Sequence, residues 1–179
     1  PAQTVEAEFT LPAGPLMILV DDSRGRVNPP VACNRLTDAL GRLLRENAGV
    51  ERITTSEEIK RLRQAEPKFE DLSIREVGRL ANVDTMIWMS VRDFAFDQDL
   101  GTAIGPGRFA VVLKVFNVRE EEKEYLRLWP PLPDGRTVEA TIKSHEIRAC
   151  KTVAEVHEKL AEALADNVAK LFYKYKIEK

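Results

Sequence analysis

The stretch that most constrains the fold is residues 73–94, where a capped helix leads directly into a buried strand. Ser73 and Glu76 stand three residues apart, the spacing of a capping box in which each side chain satisfies an exposed amide near the other. Apolar residues then recur at helical spacing up to a small-residue corner at 81–83. The run 85–91 is almost continuously apolar, which is typical of a strand covered on both faces. The stretch therefore predicts a short helix, a tight corner and a central strand.

The rest of the chain alternates strand and helix patterns before it turns to consecutive strands. Strands are predicted at 16–20, 50–54, 85–91, 109–118, 125–129 and 136–147, with a short edge strand at 5–9. Helices are predicted at 36–47, 55–66, 74–81 and 153–175. One βαβ-like start that feeds several consecutive strands predicts an α/β (α+β) fold, in which helices pack on a mixed sheet. The helix over 153–175 carries seven large apolar residues and makes a long C-terminal helix.

Length and composition describe one globular domain. At 179 residues the chain can bury a substantial core, and we assign 1–15 to an N-terminal extension or linker and 16–179 to the domain. No apolar run approaches the roughly 20 residues that a membrane span requires. The net charge of -2 comes from 27 basic and 29 acidic residues that are well interspersed, which argues against nucleic-acid binding.

The cysteines and histidines are too few and too scattered to predict a metal site or a cofactor. Cys33 and Cys150 stand alone, so they are either two buried thiols or, in an exported protein, a disulfide. His145 is predicted in a strand and His157 in the long helix, without a paired nucleophile. We expect both histidines to be structural or exposed, and we expect neither catalytic residues nor a cofactor.

Two carboxylates follow the first long strand and are the best candidates for chemistry. Asp21 and Asp22 end the run 16–20, much as an aspartate pair ends the first strand of response-regulator receiver domains and helps to bind Mg²⁺. The phospho-acceptor turn of that pattern is absent after 85–91. We therefore expect the pair to solvate a loop and cap the next helix. The alternative is a small-ligand or metal-dependent enzyme that uses Asp21 and Asp22 at the sheet edge.

Two further loops lack a clear chemical signature. The glycine-rich segment 101–107 opens no helix and has no Gly-Lys-Ser/Thr, so it is predicted to be the mobile tip of a hairpin over 93–118. Residues 129–132, Trp-Pro-Pro-Leu, form a rigid and partly apolar corner. This proline corner is either a lid on the core or a site of partner contact, and Trp129, Pro130, Pro131 and Leu132 are our candidate contact residues.

The order of elements resembles the CsgG-like and TolB-N-terminal-like domains of bacterial envelope lipoproteins, a group that includes the LpoB activators of penicillin-binding proteins. The resemblance covers most of 16–175. It lies in the strand 16–22, the helix 36–44, the strand and helix 50–59, and the helix that enters a strand through a corner before aspartate, 74–87. The chain has Asn-Val-Asp at 82–84, where the family often has Gly-Ala-Asp.

The resemblance implies an anticodon-binding-domain-like fold, an export signal upstream of Pro1 and often a lipidated cysteine there. It further implies a periplasmic, outer-membrane-anchored domain that contacts protein partners of the cell envelope without catalysis and that can form oligomers. The membrane would be reached only through that lipid anchor. Pore formation is disfavoured because the hairpin over 93–118 is short and charged. A further alternative is a scaffold that adds a peptide strand at a sheet edge near 125–129 or 5–9.

Overall fold

The computed structural model describes residues 2–178, apart from the Tyr125 side chain. The strands are β1 Gln3–Val5, β2 Leu16–Asp21, β3 Thr85–Ala95, β4 Gly107–Asn117, β5 Arg127–Trp129, β6 Arg136–Ile142 and β7 Tyr175–Ile177. The helices are α1 Val31–Asn47, α2 Ser56–Ala65, α3 Ile74–Leu80, α4 Lys123–Leu126, α5 Ser144–Ala149 and α6 Val153–Ala169, with 3₁₀ turns at Phe69–Asp71 and Leu100–Thr102. None of the described helices is long and apolar enough to cross a membrane.

Five strands form one mixed sheet centred on β3 and β4, which confirms the predicted fold class. β2 pairs with β3 in parallel, from Leu16 opposite Thr85 to Asp21 opposite Ser90. β3 and β4 form an antiparallel hairpin. β6 and β5 then share the other edge of β4, where β6 takes the longer, N-terminal part. A separate antiparallel pair joins β1 to β7.

The two faces of the five-stranded sheet are covered differently. On one, the closed face, α1 and α6 pack against each other and bury side chains such as Ile18, Ile87 and Leu113. On the other, the open face, α2, a 3₁₀ turn and α3 cover a smaller cluster that includes Met17 and Met86. At the far end of the open face, alternate residues of β6 are exposed to solvent, as is typical of an antiparallel sheet with one wet side.

The helix, corner and strand predicted from residues 73–94 are confirmed. The Ser73 hydroxyl accepts a hydrogen bond from the Glu76 amide at 3.1 Å and so caps α3, but among the described residues the Ser73 amide makes no return bond to the Glu76 carboxylate, so only half of the predicted capping box is formed. Asn82 ends the helix at φ 54°, in the left-handed region that asparagine tolerates better than most residues. A methyl group on Gly78 would lie 2.5 Å from Val118, so only glycine lets α3 approach the chain this closely. The corner therefore sets the distance between helix and sheet.

The C-terminal helix is shorter than predicted. α6 ends at Ala169 rather than near residue 175. The carbonyl of Leu171 accepts the amides of Glu8 at 2.8 Å and Phe9 at 3.3 Å, whereas a continuing helix would use that carbonyl itself. Tyr175–Ile177 then form β7 beside β1. Long-range pairing with the N-terminal segment therefore replaces the last turns of the predicted helix.

The strand predicted over 136–147 is wrong in its second half. β6 stops at Ile142, and α5 follows. The Lys143 amide donates to the Glu146 carboxylate at 2.7 Å, a contact that starts a helix. His145 therefore lies in a helix rather than in a strand, and its side chain is exposed.

The shorter predicted strands are only partly right. The strand at 50–54 is reduced to one parallel bridge between Ile53 and Leu16. The N-terminal edge strand lies earlier than 5–9, because β1 spans Gln3–Val5. In 125–129, the single-turn helix α4 takes the first residues and leaves β5 three residues long.

Candidate functional site

A cleft of about 680 Å³ lies on the open face, at the carboxyl end of β2. The loop after β2 and the start of α1 form one wall, and α2, the Phe69–Asp71 turn and α3 form the other. We call it the β2 cleft. It is lined by Leu19, Val20, Asp21, Asp22, Ser23, Pro30, Cys33, Asn34, Arg63, Phe69, Glu70, Leu72, Ile74, Val77 and Trp88.

The floor of the β2 cleft is apolar. Leu19, Phe69 and Val77 are buried and belong to the core of the open face. Leu72 and Trp88 lie beside them and are only partly covered. The floor is thus the margin of a hydrophobic core that the short α2 and α3 do not fully cover.

The two aspartates predicted as a site lie in this cleft, but they hold a loop and do not cap a helix. The Asp22 carboxylate accepts the amides of Arg26 and Val27, each at 2.9 Å. Asp21 accepts the Ser23 amide at 3.2 Å. α1 instead begins after Pro30, which makes no side-chain cap. The expectation that the pair caps the next helix is therefore wrong, because the carboxylates reach the loop amides first.

The opposite wall carries one cationic side chain, Arg63, which already contacts Phe69 and Glu70 of the same wall. The Arg63 guanidinium lies 5.1 Å from the centroid of the Phe69 ring and donates to the Glu70 carboxylate at 3.1 Å. The lining therefore has three carboxylates, Asp21, Asp22 and Glu70, against one guanidinium. The formal charge of the lining is therefore negative, and within residues 2–178 neither aspartate forms a salt bridge.

Cys33 adds a thiol to the cleft wall, but it is poorly suited to act as a nucleophile. Burial, and then the negative charge of Asp22, raise its pKa to about 12. The reactive form of cysteine is the thiolate, so Cys33 remains a protonated thiol at neutral pH. Cys150 is likewise free, and burial also raises its pKa. The two cysteines are therefore separate thiols, which answers the question of a disulfide left open by the sequence.

The histidines lie away from the cleft. His157 is 3% exposed on α6, with its ring centroid 4.8 Å from that of Phe94 and 5.6 Å from that of Phe96. Burial lowers its pKa, so the ring is neutral at pH 7. In residues 2–178 no three His, Cys, Asp or Glu side chains are grouped so that they could hold a metal ion.

The proline corner is divided between core and surface. Trp129 is 8% exposed and lies between Phe9 and Phe172, with ring centroids 6.0 and 5.7 Å away. Pro130 is buried with it, whereas Pro131 and Leu132 are exposed, Leu132 at 59%. The first two residues can therefore act as a lid, and only the last two are accessible to a partner. The role of the corner as a contact site stays a prediction.

The glycine-rich segment 101–107 is anchored on one side. The carbonyl of Ala103, a fully buried residue, accepts a hydrogen bond from Arg148 of α5 at 2.6 Å. The next residue, Ile104, is 91% exposed. The segment joins β3 to β4, as predicted, but its first half packs against α5.

Sequence reasoning found Asp21 and Asp22 but missed the other wall of the cleft. Arg63 and Phe69 lie on a helix end and a 3₁₀ turn, and neither belongs to a motif. The only signal was an isolated aromatic residue in a charged segment, Lys68-Phe69-Glu70-Asp71. Such a residue is normally buried, but the sequence pattern does not indicate which other residues it packs against.

The fold is similar to those of solved bacterial structures with very different sequences. A PelC dodecamer from Paraburkholderia phytofirmans has 12% identity and a TM-score of 0.54, over 97% of this chain and 98% of that chain. Lipoprotein GNA1162 from Neisseria meningitidis has 10% identity and a TM-score of 0.50, over 88% and 99%. The LpoB C-terminal domain from Salmonella enterica has 13% identity and a TM-score of 0.39, over 78% of this chain and 85% of that chain.

No protein-family model matches the sequence, and no curated protein matches it significantly. At these identities the structural likeness concerns the fold alone. The envelope-lipoprotein part of the resemblance is confirmed at the level of fold by GNA1162, whereas its CsgG-like part stays a prediction. The chain shares its fold with lipoprotein GNA1162.

Proposed function

We propose that this chain is a non-catalytic periplasmic or outer-membrane lipoprotein domain that binds other proteins as an assembly or secretion accessory module. The observation that carries the proposal is a fold shared with lipoprotein GNA1162 over 88% of the chain. The β2 cleft adds support, because its thiol is protonated and its Asp22 carboxylate is held by two loop amides. The cleft thus offers an apolar surface with carboxylates rather than an activated nucleophile.

Localisation is the first test. The complete reading frame, expressed in its native host with metabolic labelling by a radioactive fatty acid, is expected to give a labelled protein in the outer-membrane fraction. A variant in which the cysteine of the upstream export signal is replaced by serine serves as control and should lose the label. An unlabelled protein confined to the cytosol would contradict the proposal.

A second test concerns self-association. The PelC structure is described as a dodecamer, and we infer that this chain also forms a homo-oligomer. Native mass spectrometry across a hundredfold range of concentration should show a discrete assembly of several copies. A monomer at every concentration would remove this part of the proposal and leave the localisation untouched.

Partner contact can be tested at the proline corner. A photo-crosslinking amino acid at Leu132 should capture an envelope protein in cells, since this side chain is 59% exposed beside a rigid corner. The same residue at Ile177, which is 46% exposed at the C-terminal pair of strands, is the matched control. Equal capture at both positions would show that the proline corner is not a specific contact.

The volume of the β2 cleft, taken without its shape, is compatible with a second candidate function, the binding of a small ligand at Asp21 and Asp22. This volume of about 680 Å³ lies within the range of about 300–1,000 Å³ typical of ligand pockets. If this function is right, a nucleotide or Mg²⁺ should raise the melting temperature, and Asp21→Ala should remove the shift. No shift across a panel of metals and nucleotides would exclude it.

A further inference from the structure

We propose that the β2 cleft binds a short segment of a partner polypeptide, an apolar side chain followed by a basic residue. The apolar side chain would lie on the floor formed by Leu19, Leu72 and Trp88, and the basic group would lie at Asp21. The inference rests on the proposed function, because it names the chemistry of the protein segment that the domain binds.

The shape of the cleft favours a side chain carried on a polypeptide over a small molecule. The cleft is about half open to solvent and not enclosed on all sides. Pockets for small ligands usually cover most of the ligand surface, because a small molecule has little else with which to gain affinity. A polypeptide can place one side chain in such a cleft and make further contacts along the rim.

The floor supplies the apolar contact. Phe69 and Leu19 are 4% and 9% exposed, so they form a rigid base, and the partly covered Leu72 and Trp88 extend it to the solvent. Covering such a surface makes a favourable but modest contribution, from which the costs of association are subtracted. The apolar contact alone would therefore be weak and unselective.

Charge supplies the selectivity. Among the described residues the Asp21 carboxylate accepts one hydrogen bond, from the Ser23 amide, which leaves lone pairs for a further donor. Arg63 does not neutralise it, because that guanidinium is engaged with Glu70 on the opposite wall. Other cations lie near the cleft but outside its lining: Arg24 and Arg26 in the loop after Asp22, and Lys114 of β4, whose ammonium lies 5.7 Å from the centroid of the Trp88 ring. A basic residue is thus the complementary charge at this rim.

The two tryptophans provide a direct assay, since the chain has only Trp88 and Trp129. In the variant Trp129→Phe, the remaining tryptophan lies in the cleft. Titration with the peptide acetyl-Gly-Leu-Lys-Arg-Gly-amide should change its fluorescence to saturation. The variant Trp88→Phe, which keeps only the tryptophan of the proline corner, should show no change. Amide chemical-shift changes in the unsubstituted protein give a second readout if Trp129→Phe is unstable.

Two altered peptides and three protein variants separate the apolar from the charged contribution. Replacing Lys-Arg in the peptide by Glu-Glu, or Leu by Gly, should weaken binding by about fivefold or more, the ratio that corresponds to a free-energy difference of about 1 kcal/mol. Asp21→Asn should weaken only the Lys-Arg peptides. Asn34→Lys on the cleft wall should do the same, whereas Gln64→Lys, which adds an equal charge on an exposed position of α2 outside the lining, should not.

The proposal is overturned if the peptide gives no saturable change at Trp88 or in the amide shifts of the cleft. Equal binding of the Lys-Arg and Glu-Glu peptides would also overturn it. If the peptides fail while Leu132 still captures an envelope protein, only the cleft assignment is lost. If the cleft binds no peptide and Leu132 captures no envelope protein, the proposed function falls as well.

Discussion

The closed and open faces of the sheet have similar apolar strands but different covers. On the closed face, α1 and α6 are each 17 residues long and bury residues from β2, β3, β4 and β6 in one continuous core. On the open face, α2 has 10 residues and α3 has seven, and they bury a smaller core at β2, β3 and the end of β4. The β2 cleft is the part of the open face that these short helices leave uncovered.

This difference suggests that the closed face mainly stabilises the fold and that the β2 cleft mainly serves binding. A side chain fully buried by long helices gives its whole hydrophobic contribution to folding. A partly covered side chain at the margin, such as Leu72, still exposes apolar surface, and contact with another molecule can bury that surface. We therefore expect substitutions on the closed face to act on stability and substitutions in the cleft to act on binding.

The largest expected effect contrasts Leu160 with Leu72. Leu160 is fully buried on α6, so Leu160→Ala should lower the free energy of unfolding by about 2–5 kcal/mol. Leu72→Ala, at the half-covered cleft floor, should cost about 1 kcal/mol. Urea denaturation followed by circular dichroism measures both. Equal losses would break the contrast between the faces.

The next effect probes the close approach of α3 on the open face. A Cβ at Gly78 would lie 2.5 Å from Val118, so Gly78→Ala should cost about 1–3 kcal/mol through overpacking. Gly101→Ala is the matched control, because a Cβ there meets nothing within 4 Å. If Gly78→Ala is tolerated as well as the control, then α3 is free to shift, and the cleft is not rigid.

A smaller effect is expected at the start of α2, which holds the far wall of the cleft. The Thr55 hydroxyl accepts the Glu58 amide at 3.1 Å and Glu58 returns a contact to the Thr55 amide at 3.4 Å. Thr55→Ala should lower the free energy of unfolding by about 1 kcal/mol, whereas Thr55→Ser should keep most of it. Thermal unfolding monitored by circular dichroism distinguishes the two, and identical melting of all three proteins would show that the cap contributes nothing.

The smallest effect concerns pH and belongs to the closed face. Burial lowers the pKa of His157 below its ordinary value of 6.5, so the unfolded chain binds a proton more readily than the folded one. The stability that depends on neutral His157 is therefore complete above about pH 6.5 and declines as the pH falls below it. His157→Gln should flatten that part of the stability profile between pH 7 and 5. His145→Gln, at an exposed side chain, should follow the unsubstituted protein, and a profile that is unchanged in His157→Gln would contradict the assignment.

Local patterns predicted the elements that local physics determines. The capped helix at Ser73, the corner that ends at Asn82 and the buried strand after it follow from caps, conformational preference and apolar runs within a few residues. The end of α6 does not follow from such patterns, because it depends on amides of Glu8 and Phe9, more than 160 positions away. The helical spacing of apolar residues continues past Ala169 in the sequence. Only the folded structure shows that the amides of Glu8 and Phe9 take the carbonyl that a longer helix would use.

For the same reason, the sequence pointed to only one wall of the cleft. Asp21 and Asp22 follow a strand, and the carboxyl end of a strand is a place where sites form, so the sequence predicts their location. Phe69 and Arg63 reach the same cleft only through the packing of α2 and α3 on the open face. Their contribution depends on tertiary distances, which residue spacing does not encode.

The pairing of β1 with β7 has a mechanical consequence. Gln3 pairs with Ile177 and Val5 with Tyr175, so both chain ends leave from the same end of one antiparallel ribbon. A force applied between the two ends therefore peels this ribbon open one rung at a time, instead of loading all its hydrogen bonds together. The β1–β7 pair would therefore separate at low force. The chain length released in this way would delay the transfer of force to the five-stranded sheet.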